Sequence, residues 1–373
     1  MKLGKIMVYF NKIKILLLLL LVFSCSYSAK STIYGNGNLK LKRVEYSQLQ
    51  NWSKDNHKSA LMSFLNSCKR FKKMSDYDNI GNKIGKIKVE DFRDVCHIGN
   101  LIKYTNNSQI KNFFENWFVP FQVSTRSGNY VGKFTGYFEP LLEGSMEKTE
   151  IYQYPVYAKP DDYTKYSRKN IENGALKDKS LELLYVKDNV DLFFMHIQGT
   201  GRIKLENGDI IKLSYDGKNN KNYRSIGQYM IKNNVIASND YSYNSIKSWL
   251  RSNKKEGQRI MNLNKSYIYF KISNNNNVIG AQMVPLTAQR SLAIDKNILP
   301  YGYPIWLEVK AKGKSRSFYN KLLVTQDTGS AIKGAVRGDI FFGSGKEYEQ
   351  KAARMNNKGS YYIFIPANAV SGL

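Results

Sequence analysis

Apolar residues recur three and four positions apart at Leu61, Phe64, Leu65, Cys68 and Phe71, the spacing that lines up one face of an α-helix. The same spacing returns at Ile110, Phe113, Phe114 and Trp117, where Ser108 is placed to cap the first turn and Pro120 to stop the last. From Val123 onward the apolar runs shorten and are punctuated by Gly and Asn. Arg202 to Leu213 reads as a hairpin about a two-residue Asn207-Gly208 turn, a pair that tolerates positive φ. Arg224 to Ile236 and Tyr243 to Arg251 return to a helical pattern, whereas Ser266 to Ile272, Ile305 to Val309, Lys321 to Thr325 and Tyr361 to Ile365 are runs of strand length. Helices first and many short strands afterwards predict an α+β chain, mainly β, built around barrels. There is no internal repeat, and Asn274 to Asn277 reads as a polar turn.

One apolar run obeys neither period. Ile15 to Phe23 is unbroken and follows Lys2, Lys5, Lys12 and Lys14. It is too short to span a bilayer, which takes about 20 residues, and has the length of a signal-peptide core. It ends in Leu21-Val22-Phe23-Ser24-Cys25, and a small residue before a Cys at this place resembles a bacterial lipoprotein signal. The expectation is removal of residues 1–24 and a lipid on Cys25, with the polar, basic residues 25–45 as a tether. A plain secretory signal cut after Ala29 is the alternative, and either one exports the protein.

Export changes the meaning of the charge. Lys and Arg number 57 against 30 Asp and Glu, a formal +27, and removal of residues 1–24 takes four lysines and no acid, lowering it to +23. So basic a protein implies an anionic partner, but an exported one meets envelope polymers and anionic lipid, so no nucleic-acid partner is expected. With 42% apolar and 23% charged residues the chain is neither disordered nor collagen-like, and its 373 residues suggest about two domains. Beyond Cys25 two cysteines remain, Cys68 and Cys96, and in an oxidising compartment an even pair predicts a disulfide, two buried thiols being the alternative. The histidines, at 57, 97 and 196, form no ligand cluster, so neither metal nor cofactor is expected.

Several short motifs fall away. Asp327-Thr328-Gly329-Ser330 matches an aspartic-protease signature, but that chemistry needs a second such carboxylate and no second copy exists. Arg337-Gly338-Asp339 matches an adhesion tripeptide by chance, and Gly343-Ser344-Gly345-Lys346 lacks the spacing of a phosphate loop. Three aspartates, Asp295, Asp327 and Asp339, sit beside glycines that let the backbone bend toward a ligand. Two carboxylates across a cleft, one able to protonate a leaving oxygen, are one reading, and Asp-Gly turns are the other.

Resemblance decides between them. AIDKNILPYGYPIWLE followed by QDTGSAIKGAVRGDIFFGSG resembles the three-aspartate (3D) domain of the membrane-bound lytic murein transglycosylase A family. Phe134-Thr135-Gly136-Tyr137-Phe138-Glu139-Pro140 is similar to the family's TGYxxP segment, and Met195 to Gly201, Tyr223 to Gly227 and Val284-Pro285-Leu286 continue its order, from about residue 60 to 367. The resemblance implies a double-psi β-barrel main domain, residues 46–140 and 265–373 with its 3D region at about 285–367, and a smaller β-barrel inserted at 141–264 across a substrate cleft. It implies a lyase that cuts the β-1,4 bond between N-acetylmuramic acid and N-acetylglucosamine in peptidoglycan and leaves 1,6-anhydro ends. By motif, Asp339 is the acid and then the base, and Asp327 the second cleft aspartate, orienting its neighbours and favouring a protonated Asp339. Asp295 is structural, and Thr135, Tyr137, Gln198 and Lys333 are candidates to line the sugar groove. The expected partners are glycan strands and, through the lipid, the periplasmic face of the outer membrane, with the protein a monomer. A hydrolytic muramidase and a non-catalytic wall-binding lipoprotein are the rival readings.

Overall fold

The computed structural model describes residues 32–237, 242–310, 318–371 and 373. Residues 1–31 lie outside it, and with them the expected signal and Cys25. The part of the expected tether that is described is not a tether: β1 (Thr32–Gly35) and β2 (Leu39–Arg43) form an antiparallel hairpin, and β2 pairs with β3 (Phe118–Ser124). Ile33, Leu39 and Leu41 are buried along it. Leu39-Lys40-Leu41-Lys42 alternates apolar and polar residues, the pattern of a strand with one face on the core, which the overall basic character of residues 25–45 outweighs in the sequence.

Helix α1 (His57–Phe71) lays the predicted apolar face inward, and Asn56 caps it by accepting from Ser59 N. It packs against α2 (Arg93–Ile102) and α3 (Asn107–Trp117), and a disulfide joins Cys68 on α1 to Cys96 on α2. The cap of α3 is Asn106, not Ser108: the Asn106 backbone is extended and its side chain accepts from Gln109 N. Ser108 already lies inside the helix.

The main sheet adds β4 (Gly132–Glu139), β11 (Ser291–Ile294), β12 (Pro304–Lys310), β13 (Phe318–Asp327), β14 (Arg337–Ser344) and β15 (Asn356–Pro366), and runs in the order β1-β2-β3-β15-β12-β13-β11-β14-β4. Strand β15 also pairs with β4, from Asn356 opposite Thr135 to Gly359 opposite Gly132. That extra ladder closes β4, β14, β11, β13, β12 and β15 into a barrel. Two of its pairings, β4–β14 and β11–β13, are parallel, and the architecture is the α+β double-psi arrangement. Trp306, Tyr303 and Tyr361 are among its fully buried side chains.

Between β4 and β11 the chain leaves the barrel and builds a second sheet from β5 (Leu141–Ser145), β6 (Tyr154–Tyr157), β7 (Glu182–Val186), β8 (Gly201–Lys204), β9 (Ile210–Lys218) and β10 (Ile268–Ile272), in the order β10-β9-β8-β5-β7-β6. Strand β10 pairs with β9, so this body extends past residue 264, where the sequence reading ended it. The β8–β9 turn also differs from expectation. Leu205 N donates to Asp209 O, which leaves three residues in the loop, and only Gly208 takes a positive φ, of 91°. Helices α4 (Asn189–Gln198), α5 (Ile226–Lys232), α6 (Tyr243–Ser252) and α7 (Lys254–Asn262) accompany this sheet, and α8 (Lys346–Arg354) returns to the barrel between β14 and β15.

One buried ion pair ties α1 to the barrel. Arg290 donates from both terminal nitrogens to Asp55, at 2.7 and 2.8 Å, and Leu322 N donates to the same carboxylate at 2.8 Å. Burial pushes the Asp55 carboxyl up, but the Arg290 hydrogen bonds and charge, with the Leu322 N–H, outweigh it and hold Asp55 below its usual 3.8. Asp55→Ala strands a guanidinium in the core, a defect that costs about 3–5 kcal/mol. Urea unfolding near pH 7 is expected to show that loss. Because the folded pKa is the lower one, the stability Asp55 contributes is complete above 3.8 and is lost as pH falls through its folded value, so the gap between the two proteins narrows in acid.

Candidate active site

Strand pairing puts the acids together. Asp339 on β14 is opposite Ala293 on β11, and Ala293 is opposite Asp327 at the end of β13. On its other side Asp339 is opposite Thr135 on β4. Residues directly opposite one another turn their side chains to the same face of a sheet, so Asp327, Asp339 and Thr135 share one rung, with about 10 Å between the two aspartate backbones. Tyr137, two residues on from Thr135, shares that face, and its ring lies 5.3 Å from Phe341. Gly136 between them faces the other way, where a Cβ would stand 2.6 Å from the Phe342 ring and 2.9 Å from Ala352 Cα of α8. Only glycine lets β4 lie this close to α8.

The two aspartates have different surroundings. Asp327 is enclosed by donors: Tyr137 OH gives to Oδ2 at 2.7 Å, and Ala281 N and Thr328 N give to Oδ1 at 2.9 Å each. Burial still dominates and pushes its carboxyl above the usual range, with the charge of Asp339 adding to the rise and the three donors opposing it. Burial likewise pushes the Tyr137 phenol well up, helped by Asp327. Asp339 has a different setting. Arg337 Nη1 and Thr135 Oγ1 both donate to its Oδ1, and Arg337 Nη2 donates to Thr135 Oγ1 at 2.9 Å. Carboxylate, guanidinium and hydroxyl form a closed triangle that fixes one carboxyl oxygen.

The remaining candidates sit around this rung. Gln198, at the end of α4, accepts from Phe138 N at 3.2 Å and so abuts β4 from the second body. Asp295 is buried at the end of β11 and accepts from Asn297 N and Gly334 N, pinning the β13–β14 loop; it has no hydrogen bond to either cleft acid. Lys333 is exposed on the same loop. Among the described residues no three His, Cys, Asp or Glu side chains gather to hold a metal.

Sequence reading missed two residues. Arg337 was set aside with the adhesion tripeptide, although residues two apart on a strand face the same way and the pair could have been read from that period. Gln326, fully buried beside Asp327, accepts from Ser63 Oγ and Ser291 Oγ and donates to Ser63 O and Ser67 Oγ. This anchors the end of β13 to α1, and nothing local in the sequence announces it.

Comparison with known proteins follows the same outline. A family model of the MltA specific insert domain matches residues 133–271 and one of the 3D domain matches residues 290–365. The membrane-bound lytic murein transglycosylase A of Escherichia coli K12 is 34% identical over 306 residues, 75% of this chain and 83% of that protein. A homologue from Buchnera aphidicola is 34% identical over 241 residues, covering 62% of this chain and 65% of the relative. Among solved structures, MltA from Neisseria gonorrhoeae superposes with a TM-score of 0.75 at 30% identity over 91% of this chain and 95% of that one. E. coli MltA with bound chitohexaose superposes at 0.70 and 25% identity over 91% and 97%.

The raised pKa of Asp327 carries a stability cost. In the unfolded chain the carboxyl ionises near 3.8, whereas the folded state resists ionisation, so stability falls as pH rises from that value through the folded pKa. Asp327→Asn keeps the shape and removes the charge. It is expected to raise the melting temperature near pH 7, and the gain should disappear when the comparison is repeated below about pH 4. Calorimetry at the two pH values checks both halves.

Proposed function

This chain belongs to the membrane-bound lytic murein transglycosylase A family, and on that footing we propose that it is a lytic transglycosylase that cuts peptidoglycan glycan strands without consuming water. The observation that carries the reading is the triangle at Asp339, one carboxyl oxygen held by Arg337 and Thr135 on a rung shared with Asp327. In the reaction we assign, Asp339 carries its proton on Oδ2, since Oδ1 is taken by Arg337 and Thr135, and gives it to the glycosidic oxygen as the bond from the muramic anomeric carbon breaks. Arg337 and Thr135 then stabilise the carboxylate so formed. The carboxylate takes the proton of the same sugar's 6-hydroxyl as that oxygen bonds to the anomeric carbon. Asp339 ends protonated as it began, and the product is a 1,6-anhydro ring.

A hydrolase of this type needs a second carboxylate to activate water. Asp327 is a poor candidate for that work, since Tyr137 and two backbone N–H groups already occupy its oxygens. We give it the role of orienting Tyr137; burial opposes its own ionisation, so the expectation that its charge keeps Asp339 protonated is withdrawn. The 6-hydroxyl is part of the bound sugar, and effective molarities of about 10⁵ M or more let such a group outrun water. Thr135, Tyr137 and Gln198 line the groove in this scheme, and Asp295 holds the loop behind it. The chitohexaose bound to the E. coli relative supports a cleft that accepts amino-sugar chains.

Among the described residues no helix is long and apolar enough to cross a membrane. We infer that the protein is held at the periplasmic face of the outer membrane by lipid on Cys25.

Asp339→Asn is expected to lower turnover by about 10²-fold or more while glycan binding and the melting temperature are kept. Mass spectrometry of sacculus digests by the unaltered enzyme should give muropeptides lighter by one water than muramidase products. Reducing-end muramic acid would make the protein a hydrolase, and tight binding without cleavage would make it a wall-binding protein. Cys25→Ala should move the protein from the membrane fraction to the soluble one or leave it unprocessed. Normal lipid-dependent fractionation of that variant would refute the anchor.

A further inference from the structure

Lys218 is the last residue of β9, in the second body. Its ammonium donates to Ser330 Oγ at 3.0 Å. Ser330 belongs to the loop that leaves Asp327 and returns at Asp339, so this hydrogen bond crosses from one body to the other beside the acids. Lys333 is three residues further along the same loop, and exposed. The two ammonium groups feel each other: burial first, and then the charge of Lys333, pull Lys218 below its usual value. Asp216, the acid on β9 nearest in sequence, is taken by Lys271 at 3.1 Å. Among the described residues neither Lys218 nor Lys333 has an acidic partner within ion-pair distance. The Lys218–Ser330 hydrogen bond brings this ammonium onto the loop that carries Lys333, and two cations at one loop without a counter-charge suit a bound anion.

The sugars of a glycan strand offer no such anion once the lactyl group of muramic acid is joined to its peptide. The peptide stem does, through its free carboxylates. Resting on the peptidoglycan reading above, we propose that Lys218 and Lys333 clamp a carboxylate of the peptide stem across the cleft, so that the enzyme prefers strands that carry stems over bare amino-sugar chains. Lys333 then reads the stem rather than the sugar ring. The clamp joins the two bodies, so a bound stem also holds the loop between Asp327 and Asp339 in place.

The test uses full-length Asp339→Asn protein in detergent, in which turnover is expected to be low enough for binding to be read. It is titrated with soluble peptide-bearing strands, with the same strands after amidation of the stem carboxyls, and with chitohexaose, at about 50 mM and about 300 mM salt. Lys218→Gln with Lys333→Gln is expected to weaken binding of the unmodified strands by roughly five- to tenfold and to flatten its salt dependence. Affinity for amidated strands and for chitohexaose should stay within about twofold. Equal losses for all three ligands would make the lysines part of the sugar groove or of the fold, and unchanged affinity for all three would overturn the clamp outright. Ser330→Ala, which leaves both charges, should cost less than the lysine pair; a larger loss would assign the effect to the loop instead. If the unaltered enzyme neither binds nor cleaves any glycan, the peptidoglycan reading fails and the clamp with it.

Discussion

The parallel ladder between β4 and β14 brings Thr135 opposite Asp339 and Tyr137 opposite Phe341, and the contacts that β4 makes with both acids depend on it. Parallel neighbours cannot be joined by a tight turn. Here the connection is most of the molecule: the whole second body, then β11, β12 and β13, lie between the two strands in sequence. Strand β4 also pairs with β15, and it runs through Pro140 directly into β5 of the second sheet. A single extended segment thus closes the barrel, supplies two side chains of the site and leads into the other wall of the cleft. At that joint Glu139 is fully buried and held by Arg202, Lys212 and Thr200 of the second body. Arg202 also donates to Asn276 O, on the segment that returns to the barrel. One carboxylate therefore links both crossings between the bodies.

Polar groups in the core serve the site as well as the fold. The side chain of Gln326 reaches Ser63 and Ser67 on α1 and Ser291 on β11, while its carbonyl accepts from Gln282 N. Backbone N–H groups of the neighbouring loop then reach Asp327. Such a network is worth having in a core only when its members are nearly all satisfied, and it specifies one arrangement when they are. The acid at its end is held where burial opposes its charge, which costs stability in return for position.

What could be read in advance divides along physical lines. Helix α1 was legible from its repeating apolar pattern, and strands β12, β13 and β15 from short apolar runs of strand length. Helix α4 was not: Val190, Leu192, Phe193, Phe194 and Met195 are all buried, and a helix covered on most sides has no period to detect. Helix α8 failed for the opposite reason, since Ala352 is its only fully buried residue. The end of the second body was misplaced because the partner of β10 is set by pairing with β9, some fifty residues upstream, which no local pattern encodes. At the site, the aspartates stood out only through resemblance. Their common rung depends on a register shift between Leu292 and Ala293 in the β11–β13 ladder, and a shift of that kind is written in three dimensions alone.

The place of β15 in the chain has a consequence for when the site comes into being. This strand follows β14 and α8 in the chain, yet it lies between β3 and β12 and also closes the barrel against β4. Until it arrives, β4 is an open edge, and contacts this distant in sequence form late. A chain made only as far as β14 therefore carries all three aspartates in a barrel that is still open. The barrel that frames the acids is closed only once the segment beyond β14 has docked, a constraint on timing that topology supplies by itself.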